Sequence, residues 1–296
     1  MMRDFIILTD STSDLTLEMR QEFGIEYIPM QYIVDGVDYK ASLDWESHGA
    51  KEYYDLMRSG KRVFTAQISR DICYEVFSAA AAAGKDLVYI ACSSALSASI
   101  NVARLVAAEV SEQYPEADIY CIDSLISSLG QGYMAMEASR KRQAGLSAAE
   151  TAAYIEGMKL CVNQCGTVAS LEYLHRAGRV KASKAFFGNL FGVKPIIISD
   201  RKGQNYAYKK AKGAVNARIA IAEHIVQAAN GVYDELFITH ADCEEEMELV
   251  KAEVLKLAPF KKVTTSIIGP IVGASVGPGT VIVFCHGTEV TIEGNE

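Results

Sequence analysis

The sequence has no apolar run long enough to span a membrane, no block of basic residues, and no close set of cysteines and histidines. The first absence argues against an integral membrane protein. The second, with a net charge of −8 from 29 basic and 37 acidic residues, argues against broad nucleic-acid binding; Lys209-Lys210-Ala211-Lys212 is the one basic cluster. The five histidines stand alone, with no H-E-x-x-H or H-x-H spacing, so no metal site is expected. Neither G-x-G-x-x-G nor G-x-x-x-x-G-K-[ST] occurs, which leaves nucleotide binding without a motif. The segment from Met1 to Asp10 has too short an apolar core for a secretory leader and reads as a first strand. Seven scattered cysteines, an odd number, point to reduced thiols. A cytoplasmic location is the expectation. Cys161 and Cys165, four apart, are expected on one face of a helix, as packing rather than as ligands.

What is present is a soluble α/β composition, with half of the residues hydrophobic and 22% charged. Leu87 to Cys92 is a short apolar run that reads as a buried strand. Ile100, Ala103, Leu105, Ala107 and Val110 then fit a helix. Between them stand Ser93, Ser94, Ser97 and Ser99. Hydroxyls at a helix start either cap it or, beside its unpaired N–H groups and positive end, hold a carboxylate or phosphate. Four serines in seven residues exceed what one cap needs. Thr9 to Asp14 and Asp123 to Gly132 repeat the theme: a strand ends in hydroxyls where a helix begins. Alternating strands and helices imply a parallel sheet with helices on both faces, and ligands then lie beyond the carboxyl ends of the strands. These turns are expected to share one edge.

The break near Gly145 separates an N-terminal α/β domain (1–150) from a C-terminal one (151–296). In the second, Val193 to Ile198 and Tyr206 to Lys210 read as a hairpin around Arg201-Lys202-Gly203, so a mixed sheet is expected. Ile25 to Val34 reads as one strand, Arg62 to Ser69 as an exposed connection, and Ala182 to Asn189 as a short helix. There is no internal repeat. Gly273-Ala274-Ser275-Val276-Gly277 has the G-x-S-x-G spacing of a hydrolase elbow, but a strand follows it instead of a helix, so it is read as a glycine-rich loop that brings backbone close to a ligand. His240, ending a strand, is either a catalytic group or part of a capped turn.

The chain resembles the DegV family of bacterial proteins. The resemblance runs nearly end to end and rests on Ile7 to Leu15, Thr65-Ala66-Gln67, Ser93-Ser94-Ala95-Leu96-Ser97, Asp123-Ser124, Ser128 to Gly132, Leu174 to Arg179, Val193 to Ile196 and Ile268 to Gly273. It implies two α/β domains, a parallel-sheet three-layer α/β/α domain and a mixed-sheet domain, with a long-chain fatty acid between them. It also implies no catalysis by the chain itself and no cofactor. Its partners would be the fatty acid and an ATP-dependent fatty acid kinase subunit, to which the acyl carboxylate is presented, with transient contact at a membrane surface. The head-group residues implied are Thr65 and Ser93 or Ser94; Ser97, Ser275 and Arg179 complete the expected ligand-binding residues. Many members have glycine where Ala95 and Ala98 stand, serine where Ala66 stands, and histidine where Ser275 stands. Candidates for the tail wall are Val168, Leu171, Phe186, Leu190, Phe191, Ile196 and Ile271. A stand-alone hydrolase using Ser275 or Ser94, and a phosphate binder using the serine turn, are the alternatives.

Overall fold

The computed structural model describes residues 3–181 and 192–294. The helix expected over Ala182 to Asn189, and Phe186, Leu190 and Phe191, lie outside the described residues. Three sheets carry the fold. The first is wholly parallel, in the order β2 (Ile25–Ile28), β1 (Phe5–Asp10), β6 (Asp86–Ala91), β7 (Ile119–Asp123). Helices α3 (Arg70–Ala82) and α4 (Ser99–Gln113) pack together against it; α1 (Leu17–Phe23), α5 (Leu129–Gln143) and α6 (Ala148–Met158) form a separate packed group. Because the strands are parallel, the turns after β1, β6 and β7 emerge at one edge, as the hydroxyl pattern predicts.

Pro29 divides the expected single strand. It has no N–H for a ladder, and the chain leaves β2 there to enter β3 (Met30–Val34) in a small antiparallel sheet ordered β4 (Val37–Ala41), β3, β5 (Val63–Ala66). So the stretch read as an exposed connection contains β5. This sheet has an inner and an outer face: Tyr32 is buried and Thr65 pairs with it in register, whereas Phe64, one residue earlier, is 59% exposed.

α6 follows residue 147 yet packs on β6 and β7; a 3-10 turn (Lys159–Cys161) leads from it into β8 (Val162–Thr167), where the chain enters the second large sheet. Cys161 therefore ends a turn and Cys165 lies in a buried strand, so the two do not share a helix face. This sheet is mixed, in the order β10 (Asn205–Lys212), β9 (Val193–Ser199), β8, β13 (Val281–His286), β11 (Glu235–His240), β12 (Lys262–Ile267), with only β11 and β12 parallel. Its outer face is covered by α8 (Gly213–Ala229) and α9 (Glu244–Leu257). Strand alternation divides β13 between two cores: Val281, Val283 and Cys285 join the cluster under α8 and α9, and Ile282 and Phe284 the cluster shared with the first sheet. α7 (Leu171–Ala177) and α10 (Pro270–Val276) pack on each other. The loop expected over 273–277 is thus mostly helix, started by Pro270 at its first position. Ser275 lies near the end of that helix, so it is not the sharp strand-to-helix elbow of a hydrolase.

The element common to both large sheets is α5. It touches β1 and β6 on one side and β8, β11 and β13 on the other, and every residue from Leu129 to Ser139 is buried. Two glycines permit this. A Cβ on Gly130 would lie 2.6 Å from Ile126 Cδ1 and 2.9 Å from Phe284 Cδ1, and one on Gly132 would lie 2.8 Å from the Ser13 carbonyl oxygen. Among the described residues no helix is long and apolar enough to cross a membrane.

Candidate functional site

A cavity of about 190 Å³ lies between the carboxyl edge of the first sheet and the inner face of the second. Its apolar wall includes Met30 of β3, Ile197 of β9, Ile282 of β13, Val168, and Ile271 and Val272 of α10. Of the expected tail residues, Val168 and Ile271 line it. Leu171 belongs to the shared core instead, and Ile196 faces the other side of the sheet, under α8.

The expected ligand-binding residues divide. Thr65, Ser97, Arg179 and Ser275 all line the cavity, although they come from four distant parts of the chain. Ser93 and Ser94 do not. Ser94 is exposed. Ser93 is buried; its hydroxyl donates to the Gly203 carbonyl at 2.9 Å and accepts from Ala95 N–H at 3.2 Å. The serine turn is in fact a docking strut: besides the Ser93 bond, Gln204 Nε2 donates to the Ala95 carbonyl at 2.8 Å and Arg179 Nε to the Leu96 carbonyl at 3.1 Å. Sequence shows the hydroxyls and not which of them are already engaged. Ala98 stands at the cap of α4 with no side-chain bond, and the serine one residue earlier takes over that role: Ser97 Oγ accepts from Ser99 N–H at 3.3 Å and lies 2.9 Å from Ser99 Oγ. Ser97 and Ala98 both line the cavity, so the positive end of α4 adjoins it.

Thr65, Ser127 and Ser275 have hydroxyls without a protein partner among the described residues. Arg179 is the one charged residue in the lining among the described residues; it is exposed, and it also donates to the Ala177 carbonyl. Other lining residues were not singled out as site residues from sequence: Thr12, Ser127, Gln164, Thr167, Asn205 and Thr280. Thr12 and Ser127 fall in the hydroxyl-rich turns, a usable signal. Gln164 and Asn205 carry none, because a lone amide in a strand looks like an ordinary polar position.

α10 is held in place from below. Tyr53 Oη donates to the Pro270 carbonyl and Tyr54 Oη to the Ile268 carbonyl, each at 2.6 Å, both from α2 (Ala50–Arg58). The Asp14 carboxylate accepts from Gly269 N–H at 2.8 Å and from Ser128 Oγ. Burial pushes the Asp14 carboxyl up to about 7, against the lowering effect of these two donors, with nearby Asp10 adding to the rise. His240 does not line the cavity. Its Nδ1 accepts from Cys243 N–H at 3.2 Å, closing a turn. No group of three or more His, Cys, Asp or Glu able to hold a metal occurs among the described residues.

This architecture has known counterparts. The profile of the family described as uncharacterised protein, DegV family, matches residues 4–286, and the chain belongs to that family. A DegV domain-containing protein of Clostridium perfringens is 31% identical, over 97% of this chain and 98% of its own. A DegV family protein of Thermus thermophilus, described by its fatty acid binding, superposes with a TM-score of 0.86 at 26% identity, covering 97% of this chain and 100% of its own. DegV of Bacillus subtilis, described as a fatty acid binding protein, superposes with a TM-score of 0.82 at 25% identity, over the same shares.

Proposed function

We propose that this protein binds one long-chain fatty acid in the cavity, with the carboxylate among Thr65, Ser97 and Ser275, and presents it to an ATP-dependent kinase partner for acyl-phosphate formation. The observation that carries the reading is the makeup of the cavity. An apolar wall suits an acyl chain, each buried methylene contributing about 0.8 kcal/mol. Neutral donors and the start of α4 suit its head. The two relatives described as fatty acid binders support it. Arg179, exposed at the lining, supplies a positive charge. The serine hydrolase reading has no comparable support, since neither Ser275 nor Ser94 has a side-chain base as partner among the described residues. Mass spectrometry of organic extracts of the purified protein is expected to find a fatty acid near one per chain. For the kinase step, ATP-dependent acyl-phosphate formation by a fatty acid kinase subunit is expected only when this chain is added, and none with this chain alone. Extracts free of acyl chains, with no binding of added fatty acid, would overturn the reading.

A further inference from the structure

The cavity contains more polar side chains than an acyl chain and one head group require. Gln164 of β8 is 5% exposed, Asn205 of β10 is 9% exposed and Ser127, before α5, is 8% exposed, and all three line it. Their bonding is incomplete. Gln164 Nε2 donates to Asn205 Oδ1 at 3.0 Å, and Asn205 Nδ2 donates to the Arg179 carbonyl at 3.1 Å. That fixes the amide pair and leaves the Gln164 carbonyl oxygen without a protein partner among the described residues, as is the Ser127 hydroxyl. Two further lining hydroxyls have already given their protons away: Thr12 Oγ1 donates to Gln131 Oε1 at 2.7 Å and Thr167 Oγ1 to the Pro195 carbonyl at 2.8 Å. Toward a ligand such oxygens offer only lone pairs. These side chains line the cavity, and an alkyl chain laid against such an acceptor removes water from it without supplying a partner, which is costly.

We propose that the preferred ligand is a fatty acid carrying a second polar group, a hydroxyl on its acyl chain, which donates to the Gln164 carbonyl and accepts from Ser127. The proposal rests on the fatty-acid reading above and adds the ligand class. An alcohol fits this station better than a second carboxylate, because the acceptor-only oxygens need a donor, and among the described residues the charged group of the lining, Arg179, is exposed.

Competition against a fluorescent fatty acid tests it, with stearic acid and a positional series of monohydroxystearic acids as probes. One isomer is expected to bind about three- to tenfold more tightly than stearic acid, the yield of one net hydrogen bond. Gln164→Leu is expected to reverse that order, gaining stearic acid affinity while losing the preferred isomer, and Ser127→Ala to erase the preference with a smaller disturbance of packing. If every isomer binds no better than stearic acid, water satisfies the station and the inference falls while the fatty-acid reading stands. If Gln164→Leu abolishes stearic acid binding in a folded protein, the amide pair holds the head group and the inference is again wrong. Failure of stearic acid and all isomers alike to bind would remove the fatty-acid reading as well.

Discussion

At the scale of single residues, Thr65 and Ser275 are the hydroxyls whose loss should cost binding without costing structure, because neither is engaged by another of the described residues. Each alanine substitution is expected to weaken fatty-acid binding about three- to tenfold. The double variant is expected to depart from additivity, since both would serve one carboxylate. Titration with a fluorescent fatty acid measures both; unchanged affinity in Thr65→Ala and Ser275→Ala alike would place the head group elsewhere. Ser93 should behave differently. Ser93→Ala removes the donor to the buried turn at Gly203, so a loss of about 1–3 kcal/mol in stability is expected from thermal or urea unfolding. The contrast shows where sequence reading stops at this scale. Ser93, Ser94 and Ser97 look equivalent in a string of letters. Only the approach of Gly203, Gln204 and Arg179 from the other half of the chain separates a strut from a lining residue.

At the scale of elements, the parallel sheet, the hairpin β9–β10 and the helices Gly213–Ala229 and Glu244–Leu257 are legible because periodicity and turn residues agree there. Two departures have local causes. Ile25 to Val34 is mostly apolar with only Glu26 and Gln31 interrupting it, a strand-like run on both sides of Pro29, so the pattern alone does not show that the chain changes sheets there. In α10, glycines at 273 and 277 mask a helix of seven residues that is held by Tyr53 and Tyr54 more than by propensity. The glycines of α5 supply a prediction. Gly132→Val would force a side chain against the Ser13 carbonyl, which is backbone and cannot swing aside, whereas Gly130→Ala meets the side chains of Ile126 and Phe284. Overpacking of this kind costs about 1–3 kcal/mol, and Gly132→Val is expected to show the larger drop in Tm.

At the scale of the whole molecule, Asp14 ties the first βα turn to the start of α10, and its ionisation is linked to stability. Its carboxyl is raised in the fold to about 7 from 3.8. A raised acid favours the protonated native state, so its contribution is complete below about pH 4 and is lost as pH climbs toward 7. The full swing is about 4 kcal/mol at 1.36 kcal/mol per pH unit. Asp14→Asn keeps an acceptor for Gly269 N–H and cannot ionise. Its urea midpoint is therefore expected to gain on wild type as pH rises from 4 to 8; parallel pH profiles for the two proteins would refute the linkage.

A helix flanked by both large sheets has a further consequence for motion. Two lobes joined by a flexible link can swing apart like a book, but here the spine is itself one of the pages. Any wide opening would strip α5 from β1 and β6 or from β8, β11 and β13, exposing a segment that is buried along eleven consecutive positions, Leu129 to Ser139. A cargo molecule is therefore expected to pass by local breathing rather than by wide opening, and among the described residues Thr65, Ala66 and Leu96-Ser97-Ala98 line the cavity while remaining half-buried or exposed. Amide hydrogen exchange should register this as a gradient. Protection is expected to be greatest in α5 and equal on its two flanking sheets, and to fall in β5 and the 95–98 turn, where bound cargo should restore it.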